Sequence, residues 1–268
     1  MNSFTNYVIQ KKDIINGLLS PSFPITRYEG RFNQLLKNNP NFKDVFIDLM
    51  KKGKLSRAEV FKYFKNDIYK GYVASMLWGG INATRPSIKG DKTGTTTQAF
   101  HAFNYSKETI VAKLSDVKTK IDNNQITDAF ESMLPGRMNR IDGVGISFFT
   151  KILYYMSSEK METRPLIYDT WGRFMHVALL SEDERCNIGD FYQVRSREGK
   201  TYLKANKPET ELYMDFIKRM SDFCNDKDVR ISSADKLEEF LFGWTFRIKR
   251  QDGNPRKFLY DFVSKFVE

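Results

Sequence analysis

Apolar residues recur every three or four positions along most of this chain, while alternation with a period of two is almost absent. Phe42 to Met50, Ala58 to Phe64 and Tyr72 to Trp78 each show this helical spacing. A chain so patterned buries its apolar stripes by packing helix on helix, so the expected fold class is all-α. Further helices are expected at about 5–19, 26–38, 107–122, 125–133, 146–158, 170–180, 207–224, 234–248 and 255–266. Ser106 and Ser232-Ser233 stand where N-caps belong, and Pro255 takes the first-turn position of the last helix. With 268 residues, 41% of them hydrophobic, the chain can build one large core or two small ones and is not generally disordered.

Two segments interrupt the helical pattern. Asn82 to Asn104 is polar, long and glycine-containing, and is expected to be an irregular functional loop such as a lid. Glu182 to Lys204 places apolar residues on either side of Arg197-Glu-Gly-Lys, which predicts a short β-hairpin near 190–204.

Lys and Arg outnumber Asp and Glu by 43 to 33, giving a formal charge of +10. That balance suits a polyanionic partner, although a solvated lysine-rich surface explains it equally well. Cys186 and Cys224 have no CxxC spacing, so neither a disulfide framework nor a zinc site is expected, and a four-cysteine iron–sulfur cluster is excluded within this chain. His101 and His176 lack carboxylates at metal-ligand spacing, so no metal is expected. The N-terminus has no charged-then-apolar signal pattern and no long uncharged apolar run occurs, so a cytoplasmic protein without a membrane span is expected.

Arg140 to Tyr155 reads RIDGVGISFFTKILYY. Gly143 and Gly145, on either side of Val144, can turn their N–H groups outward at a helix start, as a backbone does when it holds a phosphate. The same letters also describe an ordinary tight turn between helices. The following helix is apolar around most of its circumference and keeps one narrow polar stripe, Ser147, Lys151 and Ser158. Arg137 and Arg140 flank the turn.

Two helices joined by IDGVG, followed by PLIYDTWGR at Pro165 to Arg173, resemble the helix-hairpin-helix, Gly/Pro-rich and aspartate (HhH-GPD) superfamily of DNA glycosylases. The surrounding helices resemble its 8-oxoguanine DNA glycosylase-like branch. The resemblance implies one glycosylase-like unit of two helical lobes over 1–268, with the hairpin motif at about 125–158 and the catalytic aspartate segment at 165–180. It implies Arg137, Arg140, Gly143, Val144, Gly145 and Arg173 as DNA-binding residues and Asp169 as the catalytic carboxylate. Asp142 departs from the family's proline before the first hairpin glycine, and its side chain is expected to cap the hairpin.

Ser147 stands where bifunctional members carry a nucleophilic lysine, which resembles the monofunctional members that activate water. Lys151 lies one turn on, and helical side chains lean toward the N-terminus, so its amine is expected near the missing lysine's place, with weak strand nicking as a further expectation. Asp169 could equally serve only as the N-cap of the next helix. A flipped base needs stacking surfaces, and Trp78, His101, Phe103 and Trp171 are the candidates, each of which also reads as core or ordinary surface. Tyr105 is a further candidate. Arg247, Lys249, Arg250, Arg256 and Lys257 form a candidate second phosphate patch or a solvated face.

The resemblance implies double-stranded DNA as partner, a monomer, and no cofactor beyond a monovalent cation at the hairpin. The substrate it implies is 8-oxoguanine, in repair, or a bulky sugar-modified phage cytosine, in anti-phage defence. The alternatives are a non-catalytic helix-hairpin-helix DNA-binding module and a helical scaffold in which GVG is only a turn.

Overall fold

The protein is seen in a computed structural model that describes residues 3–19, 22–24, 32–83, 89, 95–158, 161, 163–242 and 254–267. It is mostly helical with a short β-hairpin, as the periodicity predicts. The chain divides into two compact units, Met1–Ser20 with Leu166–Glu268, and Pro21–Pro165.

The first unit begins with α1 (Phe4–Gln10) and α2 (Lys12–Asn16). The expected single helix over 5–19 breaks at Lys11, whose φ of −104° and ψ of 5° leave the helical region. The Pro21–Pro165 unit then runs through β1 (Phe23–Pro24), α3 (Asn33–Asn38), α4 (Pro40–Lys52), β2 (Lys54–Leu55), α5 (Arg57–Asn66) and α6 (Ile68–Gly79). It continues with α7 (Gln98–Phe103), α8 (Lys107–Asp122), α9 (Ile126–Ser132) and α10 (Ile146–Met156). β1 and β2 pair antiparallel through Phe23 and Leu55. Helix starts are fixed locally: Asn39 caps α4 ahead of Pro40, and Ser56 with Glu59 forms a reciprocal capping box on α5. Ser106 caps α8 by accepting from the Thr109 N–H, as expected.

Two aromatic clusters fill this unit. Phe42 and Phe103 lie 4.3 Å apart, with Phe32, Phe46 and Tyr72 around them. Phe61, Tyr154, Tyr155 and Trp78 form the second cluster. The lid expectation for 82–104 is corrected at its C-terminal end. Residues 98–103 form α7, capped by Thr97, and bury Ala99, Ala102 and Phe103. Residues 84–88 and 90–94 lie outside the described residues.

The first unit resumes with α11 (Thr170–Leu180), β3 (Tyr192–Arg197), β4 (Lys200–Ala205), α12 (Glu209–Asn225), α13 (Ala234–Leu241) and α14 (Pro255–Val263), ending in a 3-10 turn. Ser233 occupies the N-cap position of α13 but makes no side-chain capping bond. α1 is tied here by the Glu182 carboxylate, which accepts from the Phe4 and Thr5 N–H groups at 2.9 and 3.2 Å. Tyr7 also stacks on Phe258 at 3.6 Å. β3 and β4 turn through Glu198 and Gly199 with φ of 53° and 70°, the paired left-handed geometry of a two-residue hairpin turn. Among the described residues, no helix is long and apolar enough to cross a membrane.

Candidate functional site

The GVG turn is built by its neighbours as much as by its own letters. Gly143 has φ +77°, and a Cβ there would stand 2.4 Å from the Gln98 carbonyl oxygen and 2.9 Å from the Ala102 nitrogen of α7. Both the backbone angle and the close approach therefore require glycine. Val144 is buried, and its N–H donates to the Ile141 carbonyl at 3.1 Å. Gly145 is different: it is the N-cap of α10, no side chain caps that helix, and a Cβ there would meet nothing within 4 Å. α10 thus begins with an uncapped backbone turn facing open space, the arrangement that receives an anion.

The Arg140 guanidinium donates to the Val144 carbonyl at 2.5 Å, closing the turn and placing positive charge beside it. Arg137 is exposed, whereas Asp142 does not cap the hairpin as anticipated. Its carboxylate accepts a hydrogen bond from the Tyr105 hydroxyl at 2.7 Å, which commits Tyr105 to the turn.

Lys151 is only 4% exposed, and its Nζ donates to the Ser147 carbonyl at 2.6 Å. Its amine therefore leans back one turn along the polar stripe. The stem packs on the end of α6, where a Cβ on Gly79 would stand 3.0 Å from Lys151 Cδ. Ser147 is half-buried in the first turn of α10.

The structure separates the four stacking candidates. Phe103 is 1% exposed and lies wholly inside the first aromatic cluster, where it offers no face to a base. Trp78 is 8% exposed, edge-on to Phe23 and Tyr155, with the Arg57 guanidinium 5.4 Å from its ring. His101 is exposed on α7, with its Cβ against Gly143. Trp171 is half-buried on α11.

Asp169 caps α11, its Oδ1 accepting from the Trp171 N–H at 2.9 Å and the Gly172 N–H at 3.3 Å. These bonds fix the carboxylate's orientation. The Arg256 guanidinium lies 4.9 Å from the Trp171 ring and 4.2 Å from that of Phe242. Burial pushes Arg256 below its usual value, and the charges of Asp169 and Glu238 offset part of that. Arg256 is engaged by these two rings, and Lys257 pairs with Asp261 one turn along α14. Arg247, Lys249 and Arg250 lie outside the described residues. Arg173 is engaged by a carboxylate. Its Nη2 donates to the Glu209 carboxylate at 2.7 Å, with the guanidinium 5.0 Å from the Tyr168 ring.

Behind Asp169 lies a buried polar chain that sequence spacing does not reveal. Tyr168, the residue before Asp169, hydrogen-bonds the Tyr192 hydroxyl, which meets His176 Nδ1 at 2.8 Å. His176 Nε2 meets Asp215 at 2.7 Å, and Asp215 also accepts from Arg219 Nε at 2.7 Å. Burial pushes His176 below its ordinary value against the pull of Asp215, and Arg219 and Arg173 add to the depression. Burial pushes the Asp215 carboxyl up, but His176 and Arg219 outweigh it and hold it below the usual range.

The folded chain therefore protonates His176 less readily than the unfolded chain, which takes up that proton near pH ~6.5, so its contribution is full above that value and is lost as pH falls below it. We expect the thermal midpoint to decline from pH 7 to 5.5 and a His176→Asn variant, though less stable, to show a flatter profile. Equal slopes would exclude this assignment. Among the described residues, no group of three His, Cys, Asp or Glu side chains could hold a metal ion.

Residues 23–242 are matched by a family model described as "Putative 8-oxoguanine DNA glycosylase OGG-like protein". The match spans most of the chain, which belongs to this OGG-like family of DNA glycosylases. No curated protein and no solved structure matches it.

Proposed function

We propose that the protein is a hydrolytic, monofunctional DNA glycosylase of the helix-hairpin-helix kind, acting as a monomer on double-stranded DNA. The observation that carries the reading is the Asp169 carboxylate, held by two backbone N–H groups at the head of α11 with Trp171 two residues on. A fixed carboxylate stabilises the positive charge that develops on deoxyribose as the base departs, and it accepts a proton from the attacking water. The bond from C1′ to the base nitrogen breaks with its electrons going to the base. The water oxygen bonds C1′, and the released proton passes through Asp169 to the departing base, leaving an abasic site.

The turn at Gly143 to Gly145 and the first turn of α10, which no side chain caps, grip a backbone phosphate, aided by Arg137 and Arg140. Of the expected stacking residues, Trp171 is half-buried two residues from Asp169 and is the one proposed to contact an extruded base, whereas Phe103 has no accessible face. Ser147 leaves the nucleophile to water, and Lys151, buried and bonded to the Ser147 carbonyl, is not poised for attack. Borohydride reduction during turnover is expected to trap no protein–DNA adduct. An adduct that disappears in Lys151→Gln would instead assign a lyase step to that amine.

The test incubates the protein with an 8-oxoguanine duplex, an unmodified duplex and DNA carrying glucosylated hydroxymethylcytosine, reading abasic sites as alkali-labile breaks. Breaks in the first DNA assign repair, and breaks in the second modified DNA assign defence against phage. Intact DNA in all three, despite binding, would favour the non-catalytic DNA-binding module.

A further inference from the structure

We infer that the outer face of the β3–β4 hairpin is a second DNA-backbone contact surface, separate from the GVG turn. This rests on the glycosylase reading only in taking duplex DNA as the polyanion. The strand register places Gln193 opposite Lys204, Arg195 opposite Tyr202 and Arg197 opposite Lys200. Side chains alternate along strands, so these six share one face. Arg195, Arg197, Lys200, Tyr202 and Lys204 are all exposed, Tyr202 at 42%.

The opposite face is anchored. Tyr192 and Val194 are 0% and 2% exposed. The Thr201 N–H donates to the Tyr260 hydroxyl at 2.8 Å, and the Thr201 and Ser264 hydroxyls bond at 2.6 Å. The outer face is therefore presented in a fixed orientation, at small entropic cost to a partner.

Four cations gathered on a two-stranded ribbon repel one another. The directly opposed Arg197–Lys200 pair is destabilising in isolation, and diagonal neighbours such as Arg195 and Lys200 stand only about 7–8 Å apart. Among the described residues, the acidic relief is one ion pair, Arg197 to Glu198 at 3.8 Å, with both side chains more than four-fifths exposed. Such a pair contributes little. The arrangement is relieved by an evenly spaced polyanion, and B-DNA carries one phosphate charge per ~1.7 Å of helix axis.

The hairpin is also coupled to the proposed catalytic segment. β3 starts at Tyr192, whose hydroxyl bonds both His176 and Tyr168, the residue before Asp169. From there the ribbon extends five residues to Arg197, roughly 17 Å at ~3.3 Å per residue, so it can follow the backbone several base pairs along.

The experiment compares wild type with R195Q/R197Q/K200Q/K204Q, four exposed positions that leave the anchored face intact. Affinity for an unmodified 30-base-pair duplex is measured across a salt series, alongside thermal melting and base release at saturating protein. With one counterion released per phosphate contact, the slope of log affinity against log salt is expected to become shallower by about 3–4. Melting and saturated base release should be unchanged. An unchanged slope in a variant that still melts like wild type overturns the proposal. Failure of the glycosylase reading looks different: wild type would release no base from any DNA while the variant's slope still changed.

Discussion

An Asp169→Asn variant is expected to lose base release by about two to four orders of magnitude under single-turnover conditions, the range for removing one electrostatic or general-base contribution. At ~1.4 kcal/mol per factor of ten, that is roughly 3–5 kcal/mol of transition-state stabilisation. The substitution is chosen because asparagine caps helices about as well as aspartate, so both bonds to the Trp171 and Gly172 N–H groups can persist. The thermal midpoint should therefore stay close to wild type, and duplex affinity should be retained. Asp169→Ala removes the cap as well and should cost about 1 kcal/mol of stability in addition. If the asparagine variant releases base at the wild-type rate, Asp169 is a cap and nothing more, and the hydrolytic mechanism fails.

The second large effect is expected from Gly143→Ala. Its φ of +77° disfavours any side chain, and the new Cβ would collide with the backbone of α7 at 2.4 and 2.9 Å. Left-handed strain of about 1–2 kcal/mol together with roughly 1–3 kcal/mol of overpacking should destabilise the Pro21–Pro165 unit by about 3 kcal/mol. At ~2–4 °C per kcal/mol for a unit of this size, the midpoint should fall by roughly 6–12 °C. Gly145→Ala provides the contrast, because nothing lies within 4 Å of its would-be Cβ and its φ of −79° suits any residue. That variant should fold normally yet bind duplex more weakly, because the methyl group intrudes where a phosphate meets the α10 N–H groups. Normal DNA binding by Gly145→Ala would reduce GVG to a packing turn.

The helices that could be read directly are those whose starts and stripes are encoded within one or two turns. α8 over 107–122 and α11 over 170–180 follow the sequence expectation residue for residue, because Ser106 and Asp169 cap them locally. The β-hairpin was legible for the same reason, since Glu198-Gly199 supplies the turn it needs. α7 was missed because its short apolar stripe follows directly on the polar run Gly90 to Gln98, and its stability comes from Phe103 entering a cluster with Phe42, sixty-one residues earlier.

The charged residues were the least legible. Arg173 is taken up by Glu209, Arg256 by the rings of Trp171 and Phe242, and Asp142 by the Tyr105 hydroxyl. Each partner is distant in sequence, and a long flexible side chain carries no local signal of which way it will turn.

By itself the sequence determined the helical class, the glycine turn before α10 and the aspartate at the head of α11, because periodicity, caps and left-handed glycines act over a few residues, while the family was legible as a resemblance carried by IDGVG and PLIYDTWGR. Only the tertiary structure decided that buried His176 pairs with half-buried Asp215, that Lys151 folds back on Ser147, and that four cations share the outer face of the hairpin. Those facts depend on burial and on register between segments far apart in the chain, and the desolvation that makes such pairings matter arises only once the core has closed.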